Sequence, residues 1–170
     1  MSLERLKKYC TAIFKASTIL LCIVIAIIIC TSICFMWQAL MPGKLNGFFE
    51  VFRIYAPFIS NIDNNGLCLF ELAGSLFSAL FVFLILVMIR RAFKKLSETL
   101  SLEDVTHEIK LISVILIIDA IAVPIVKAIC YTVFVKLPLP TGTIDLVPII
   151  LGSILYFFAI IIQSKSVIKE

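Results

Sequence analysis

The sequence predicts an all-α fold, a four-helix transmembrane bundle, because its composition is mostly apolar and its apolar residues fall into four long runs. Hydrophobic residues make up 62% of the 170 residues, and the mean hydropathy is +1.15. Soluble domains are only about 45–50% apolar. We therefore expect residues 1–170 to form a single integral membrane domain.

Each of the four runs has the length of roughly 20 residues that a helix needs to cross a hydrocarbon core. They are residues 17–41, 67–89, 111–135 and 145–163. Backbone groups must be paired in lipid, which predicts helices. The first run exceeds the apolar region of a signal peptide and has no clear small-x-small cleavage site before Met41, so we expect it to be a retained span.

The lysines and arginines predict the orientation. Eleven precede the first run, lie between the second and third runs, or follow the fourth. The other two connections carry only Lys44, Arg53 and Lys136. Because cytoplasmic loops are enriched in Lys and Arg, we expect both termini and the middle loop in the cytoplasm of a bacterial inner-membrane protein. The net charge of +4 thus indicates topology rather than direct nucleic-acid binding.

The connection after the first run has an amphipathic pattern. Phe48, Phe52, Tyr55 and Ile59 recur every three or four residues, which predicts a short outer interfacial helix in the headgroup region. Two interpretations stay open for it: a lid or ligand-facing surface, or a helix that fills space above the bundle.

The middle loop predicts a cytoplasmic extension of the third helix. Ser101 and Asp104 have the spacing of a capping box. Val105, Ile109 and Ile112 continue one apolar stripe into the third run. The third helix should therefore begin well before the membrane.

This part of the chain resembles domain-of-unknown-function family 2975, small four-span bacterial membrane proteins. The similarity covers about residues 90–120, and its matching residues are Leu100-Ser101, Glu103-Asp104-Val105 and Ile109-Lys110-Leu111-Ile112. The family's Gly-x-Pro-Phe lead-in is absent, and Ile-Lys stands for Leu-Arg. The resemblance implies a bacterial inner membrane and four spans. Because such proteins are often encoded beside small helix-turn-helix regulators, it also hints at regulation, but it implies no known activity.

Residue sets that support catalysis or metal binding are missing from the sequence. His107 is the single histidine, no glycine-rich phosphate loop occurs, and the six cysteines form no CxxC spacing. Cys34, Cys68 and Cys130 fall in the outer half, where either a disulfide between two of them or simple helix packing is expected. We predict no enzyme activity, no cofactor and no metal.

Ionisable residues inside the runs are candidates for a polar site in the membrane. They are Glu71, Asp119 and Lys127, with Pro124 between the last two. Pro124 should kink the third helix and free the carbonyl of Ala120 beside Asp119. One interpretation is a proton- or cation-responsive site; the other is a neutral carboxyl closing the kink, with a salt bridge between Lys127 and Glu71.

We expect a non-enzymatic protein with a regulatory or protein-interaction role. Its predicted cytoplasmic contact surface comprises Arg90, Arg91, Lys94, Lys95, Glu103, His107 and Glu108. Expected partners are the lipid bilayer and either another membrane protein or a cytoplasmic regulator, and a homo-oligomer is a further expectation. The alternatives are a proton- or cation-coupled transporter or channel subunit that uses Asp119, and an immunity protein against a membrane-active bacteriocin.

Overall fold

The computed structural model describes residues 3–42, 64–135 and 146–167, and within these ranges all regular structure is helical. The helices are α1 (Leu3–Leu40), α2 (Asn64–Thr99), α3 (Thr106–Val135) and α4 (Leu146–Val167), with a 3₁₀ turn at Glu103–Val105 before α3. All four are long and apolar enough to cross a membrane. The predicted four-helix membrane protein is thus confirmed, while the predicted interfacial helix lies outside the described residues.

Two of the helices extend well beyond their apolar runs. α1 begins at Leu3 rather than near residue 17, and α2 continues to Thr99 rather than ending near residue 89. The added segments are rich in Lys, Arg and Leu, which have high helix propensity. Glu4 in the first turn of α1 also complements the positive end of the helix dipole. The helices therefore continue beyond the apolar runs that predict the membrane spans.

The end of α2 has a strained residue. Leu100 adopts a φ of 56°, and its N–H donates to the carbonyl of Leu96 at 3.0 Å. This left-handed position usually holds glycine. The hydroxyl oxygen of Ser101 then accepts the N–H of Glu103 at 3.3 Å. Leu102, not Ser101, is the N-cap residue of the 3₁₀ turn, which has no side-chain cap, and α3 itself begins only at Thr106.

The helices divide into two compact units. The first unit comprises Met1–Ile25, Phe81–Ile121 and Asp145–Glu170, and its interior consists largely of small side chains. Ser113 and Ala159 are fully buried, and a Cβ added to Gly152 would lie 2.8 Å from the carbonyl oxygen of Ser113. Helices α3 and α4 therefore approach each other at backbone distance in this unit.

The second unit comprises Ala26–Leu80 and Ala122–Ile144. A Cβ added to Gly66 of α2 would lie 2.2 Å from the carbonyl oxygen of Phe134 in α3, so these helices also touch at backbone distance. The ring of Phe35 packs edge-on against that of Phe134, with centroids 6.0 Å apart. The buried amide of Gln38 donates to Asn65 at 2.6 Å, which joins α1 to α2.

Large apolar side chains lie on the outside of the helices. Ile19, Ile154 and Phe157 are each at least 60% exposed, whereas alanine, serine and glycine occupy buried positions. In water this distribution would be unfavourable. In lipid it is expected, because close packing of small residues drives helix association there. The structure is that of a multi-pass membrane protein.

Candidate functional site

An ion pair joins the end of α2 to the beginning of α3 in the first unit. Nζ of Lys95 lies 2.5 Å from Oε1 of Glu108. The Glu108 side chain is only 6% exposed, whereas that of Lys95 is 49% exposed. The prediction placed Glu108 on the contact surface, but its burial makes it a structural member that holds the two helix ends together.

The other oxygen of this carboxylate, Oε2 of Glu108, is buried and has no hydrogen-bond partner among the described residues. Burying a carboxylate is costly unless it is paired. Lys95 therefore supplies the interaction that makes the buried position of Glu108 tolerable. We call this pair the Lys95–Glu108 latch.

Besides Lys95, four members of the predicted contact surface are exposed in the first unit. They are Arg91, Lys94, Glu103 and His107, which lie on α2, in the 3₁₀ turn and in the first turn of α3. The latch holds α2 against α3, so the backbone positions of these four residues are fixed relative to one another. The structure thus brings the exposed charges of the predicted surface into one unit.

Arg90 differs from its neighbours in being turned toward α1. Its guanidinium carbon lies 5.2 Å from the centroid of the Phe14 ring, a cation–π geometry. Its Nε is buried and has no hydrogen-bond partner within the described part of the chain. Arg90 therefore ties α1 to α2 and contributes less than Arg91 to the exposed surface.

A cavity of about 330 Å³ lies between the start of α3 and the end of α4. It is lined by Glu103, Thr106, His107, Lys110 and Gln163. Nζ of Lys110 donates to Oε1 of Gln163, which joins α3 to α4. The sequence had not singled out Gln163, although a glutamine closing an apolar run was a signal for such a contact.

The predicted intramembrane site falls into two parts. Asp119 belongs to the first unit, where it is partly buried and has an interaction partner. Glu71, Pro124 and Lys127 belong to the second unit. Helix α3 continues through Pro124 without a break.

Within the second unit, Glu71 and Lys127 do not form an ion pair in the described residues, and both are exposed. The aliphatic stem of Lys127 crosses Gly74, with its Cε 3.5 Å from the position of an added Cβ. The predicted salt bridge between spans is therefore not made in this conformation.

The described residues hold no group of three or more His, Cys, Asp or Glu side chains that could bind a metal ion. All six cysteines, including Cys34, Cys68 and Cys130, are free thiols. Of the two interpretations of these cysteines, the structure therefore contains the packed thiols rather than a disulfide.

Comparison with protein-family models, with curated proteins and with solved structures gives no match to this chain.

Proposed function

We propose that this chain is a non-enzymatic inner-membrane protein of bacteria that binds a regulatory protein partner through a charged cytoplasmic surface. The surface consists of Arg91, Lys94, Glu103 and His107, and we refer to it as the contact surface. The observation that supports it is the Lys95–Glu108 latch, which places a buried carboxylate beneath exposed charges. Only the carboxylate of this ion pair is buried, and we take the pair as support for one fixed arrangement of the two helix ends rather than as a measure of stability.

The distribution of positive charge supports a cytoplasmic location. Eleven Lys and Arg residues lie before the apolar part of α1, from residue 90 to residue 110, or after the apolar part of α4. By the positive-inside rule, the contact surface and both termini then face the cytoplasm. The resemblance of residues 90–120 to family 2975 is in accord with this location and with a regulatory role.

The latch is closed at neutral pH in this arrangement. Burial raises the pKa of Glu108, but the hydrogen bond from Lys95, a backbone hydrogen bond and the electrostatic effects of Lys95 and His107 outweigh it. The pKa of Glu108 is therefore lower than its usual value of 4.5. A cytoplasmic pH leaves the carboxylate ionised and paired.

The mixed charge of the contact surface favours a protein partner over anionic lipid. Arg91 and Lys94 carry positive charge, whereas the exposed Glu103 carries negative charge. Anionic lipid is attracted by clusters of Lys and Arg, and an acidic side chain opposes such binding. A protein can present charges of both signs, and such complementarity sets specificity and association rate.

The test compares partner capture by single variants of the tagged full-length protein after cross-linking in native membranes. Glu103→Ala and His107→Ala should each reduce the captured partner about fivefold, the effect of an interface residue worth roughly 1 kcal/mol. The control is Thr132→Ala, which alters an exposed polar residue of the second unit. Folded protein is measured by gel filtration in every case.

Unchanged capture by both surface variants would refute the assignment of the contact surface. The surface would be assigned to lipid instead if the wild-type chain captured no protein but bound vesicles rich in anionic lipid, and if protein competitors did not reduce that binding. Loss of capture by the Thr132→Ala variant as well would show that the effect is not specific to the contact surface.

A further inference from the structure

The second unit carries an exposed polar stripe on α2. Glu71, Ser75 and Ser78 are spaced four and three residues apart, so they lie on one face of the helix. Glu71 and Ser75 are exposed, and Ser78 is partly exposed. In a helix that crosses lipid, a carboxyl group followed by two small hydroxyl side chains is an unusual outward face, because lipid-facing positions favour apolar residues.

Lys127 of α3 lies at the edge of this stripe. Its stem packs over Gly74, which follows Glu71 by three residues, and its side chain is exposed. In the described residues no ion pair connects Lys127 to Glu71. The second unit therefore presents one acidic and one basic side chain on neighbouring helices, both turned outward.

The two charges lie within one helical turn of the same level of the unit. Gly66 near the start of α2 touches Phe134 near the end of α3, and Gly74 touches Lys127, so the two helices run antiparallel in close contact. Glu71 lies about 10 Å along α2 from its first residue, and Lys127 lies about 12 Å from the end of α3, at 1.5 Å per residue. Charges of opposite sign at similar depth on one surface can be self-complementary in a symmetric dimer.

We propose that this stripe, Glu71, Ser75 and Ser78 together with Lys127, binds a second copy of the chain. In a two-fold dimer the same surface faces itself. Glu71 then meets Lys127 of the partner subunit, and Lys127 meets Glu71 of the partner subunit, so both charges are neutralised. The serines between them allow the helix backbones to approach closely. The dimer surface lies in the second unit and does not involve the contact surface of the proposed function.

A second copy fits this stripe better than an unrelated membrane protein. One surface already holds both signs of charge at similar depth, so a symmetric copy supplies every complementary group. An unrelated membrane protein would need a basic side chain opposite Glu71 and an acidic side chain opposite Lys127 on its own helices.

The test uses full-length chains with charge reversals, purified in lipid nanodiscs or vesicles and carrying two different tags. Glu71→Lys and Lys127→Glu each place like charges across both contacts of a homodimer. Each variant alone should lose self-association at least about tenfold, which corresponds to about 1.4 kcal/mol. When the two variants are coexpressed, each contact again joins a lysine to a glutamate, so the mixed dimer should recover to within about threefold of wild type.

The mixing experiment separates a contact between chains from a pair within one chain. If Glu71 and Lys127 paired within a chain, each variant would carry its own like-charge pair, and coexpression would restore nothing. Thr132→Glu is the control, because it adds a charge to α3 on a different face, and its self-association should equal that of wild type.

Three outcomes would overturn the proposal: a wild-type chain that remains monomeric, single variants that associate as well as wild type, or a mixed sample that fails to recover although both variants are folded. Because the contact surface is intact in all of these variants, partner capture measured in parallel distinguishes failure of the dimer from failure of the proposed function.

Discussion

The backbone contact between α2 and α3 in the second unit leads to a sharp prediction for Gly66→Ala. The added Cβ would lie 2.2 Å from the carbonyl oxygen of Phe134, about 1.2 Å inside the 3.4 Å at which ordinary contact begins. Phe134 offers a backbone atom there, so no side-chain rotation relieves the overlap and the helices must separate. Overpacking of this kind costs about 1–3 kcal/mol, and a clash with backbone belongs at the upper end.

Alanine also brings a gain, because it is about 1 kcal/mol more favourable than glycine within a helix. The net expectation for Gly66→Ala is a loss of about 2 kcal/mol in the free energy of unfolding. Gly74→Ala on the same helix is the matched control. Its Cβ would lie 3.5 Å from the flexible stem of Lys127, an ordinary contact, so the propensity gain remains and this variant should equal or exceed wild type in stability.

The assay is unfolding by SDS in mixed micelles, followed by the fluorescence of Trp37, the single tryptophan of the chain, which lies in the second unit. The two variants should differ by about 3 kcal/mol in the free energy of unfolding. Equal midpoints for Gly66→Ala and Gly74→Ala would show that α2 and α3 do not touch at Phe134. A less stable Gly74→Ala would contradict the placement of Lys127.

Three further predictions concern the junction of α2 and α3. Lys95→Ala should lower the free energy of unfolding by about 1–2 kcal/mol, because it leaves the buried carboxylate of Glu108 unpaired, whereas Lys94→Ala, at an exposed neighbour, should change it by less than about 0.5 kcal/mol. The latch should also depend on pH: the lowered pKa of Glu108 gives stability that is full above pH 4.5 and is lost as pH falls through the folded-state value. The stability advantage of wild type over Glu108→Gln should therefore be constant above pH 5 and shrink in acid, and an advantage that instead grew in acid would contradict this assignment. Leu100→Gly should raise the free energy of unfolding by about 0.5–1 kcal/mol, because glycine adopts the left-handed conformation without strain. The control is Leu96→Gly, within α2, which should lower the free energy of unfolding by about 1 kcal/mol.

The sequence predicts the number and order of the membrane helices because their signal is local. A run of about 20 apolar residues must be a helix wherever its backbone is surrounded by lipid. The same signal does not show where α1 begins or where α2 ends, since Lys- and Arg-rich segments continue a helix without adding hydropathy. Helix length is thus less predictable than helix number in this chain.

The contacts between helices were less predictable because they depend on rotation and depth. Glu108 and Glu103 are both acidic residues near the start of the third helix, yet Glu108 is buried against Lys95 and Glu103 is exposed. Gly66 stands in a turn-like NNG sequence, which gives no indication of its contact with Phe134. The predicted ion pair between Glu71 and Lys127 is not formed within the chain, although α2 and α3 touch at Gly66 and Gly74.

The most direct test of the central claim is photo-cross-linking in living cells from a photoreactive residue placed at His107. A residue of the same kind at Thr132, which is exposed in the second unit, is the reference position. The proposed function predicts one discrete protein adduct from position 107, absent from position 132, that becomes about fivefold weaker when Glu103→Ala is added. No protein adduct from position 107, or the same adduct from both positions, would contradict a partner-binding role for the contact surface.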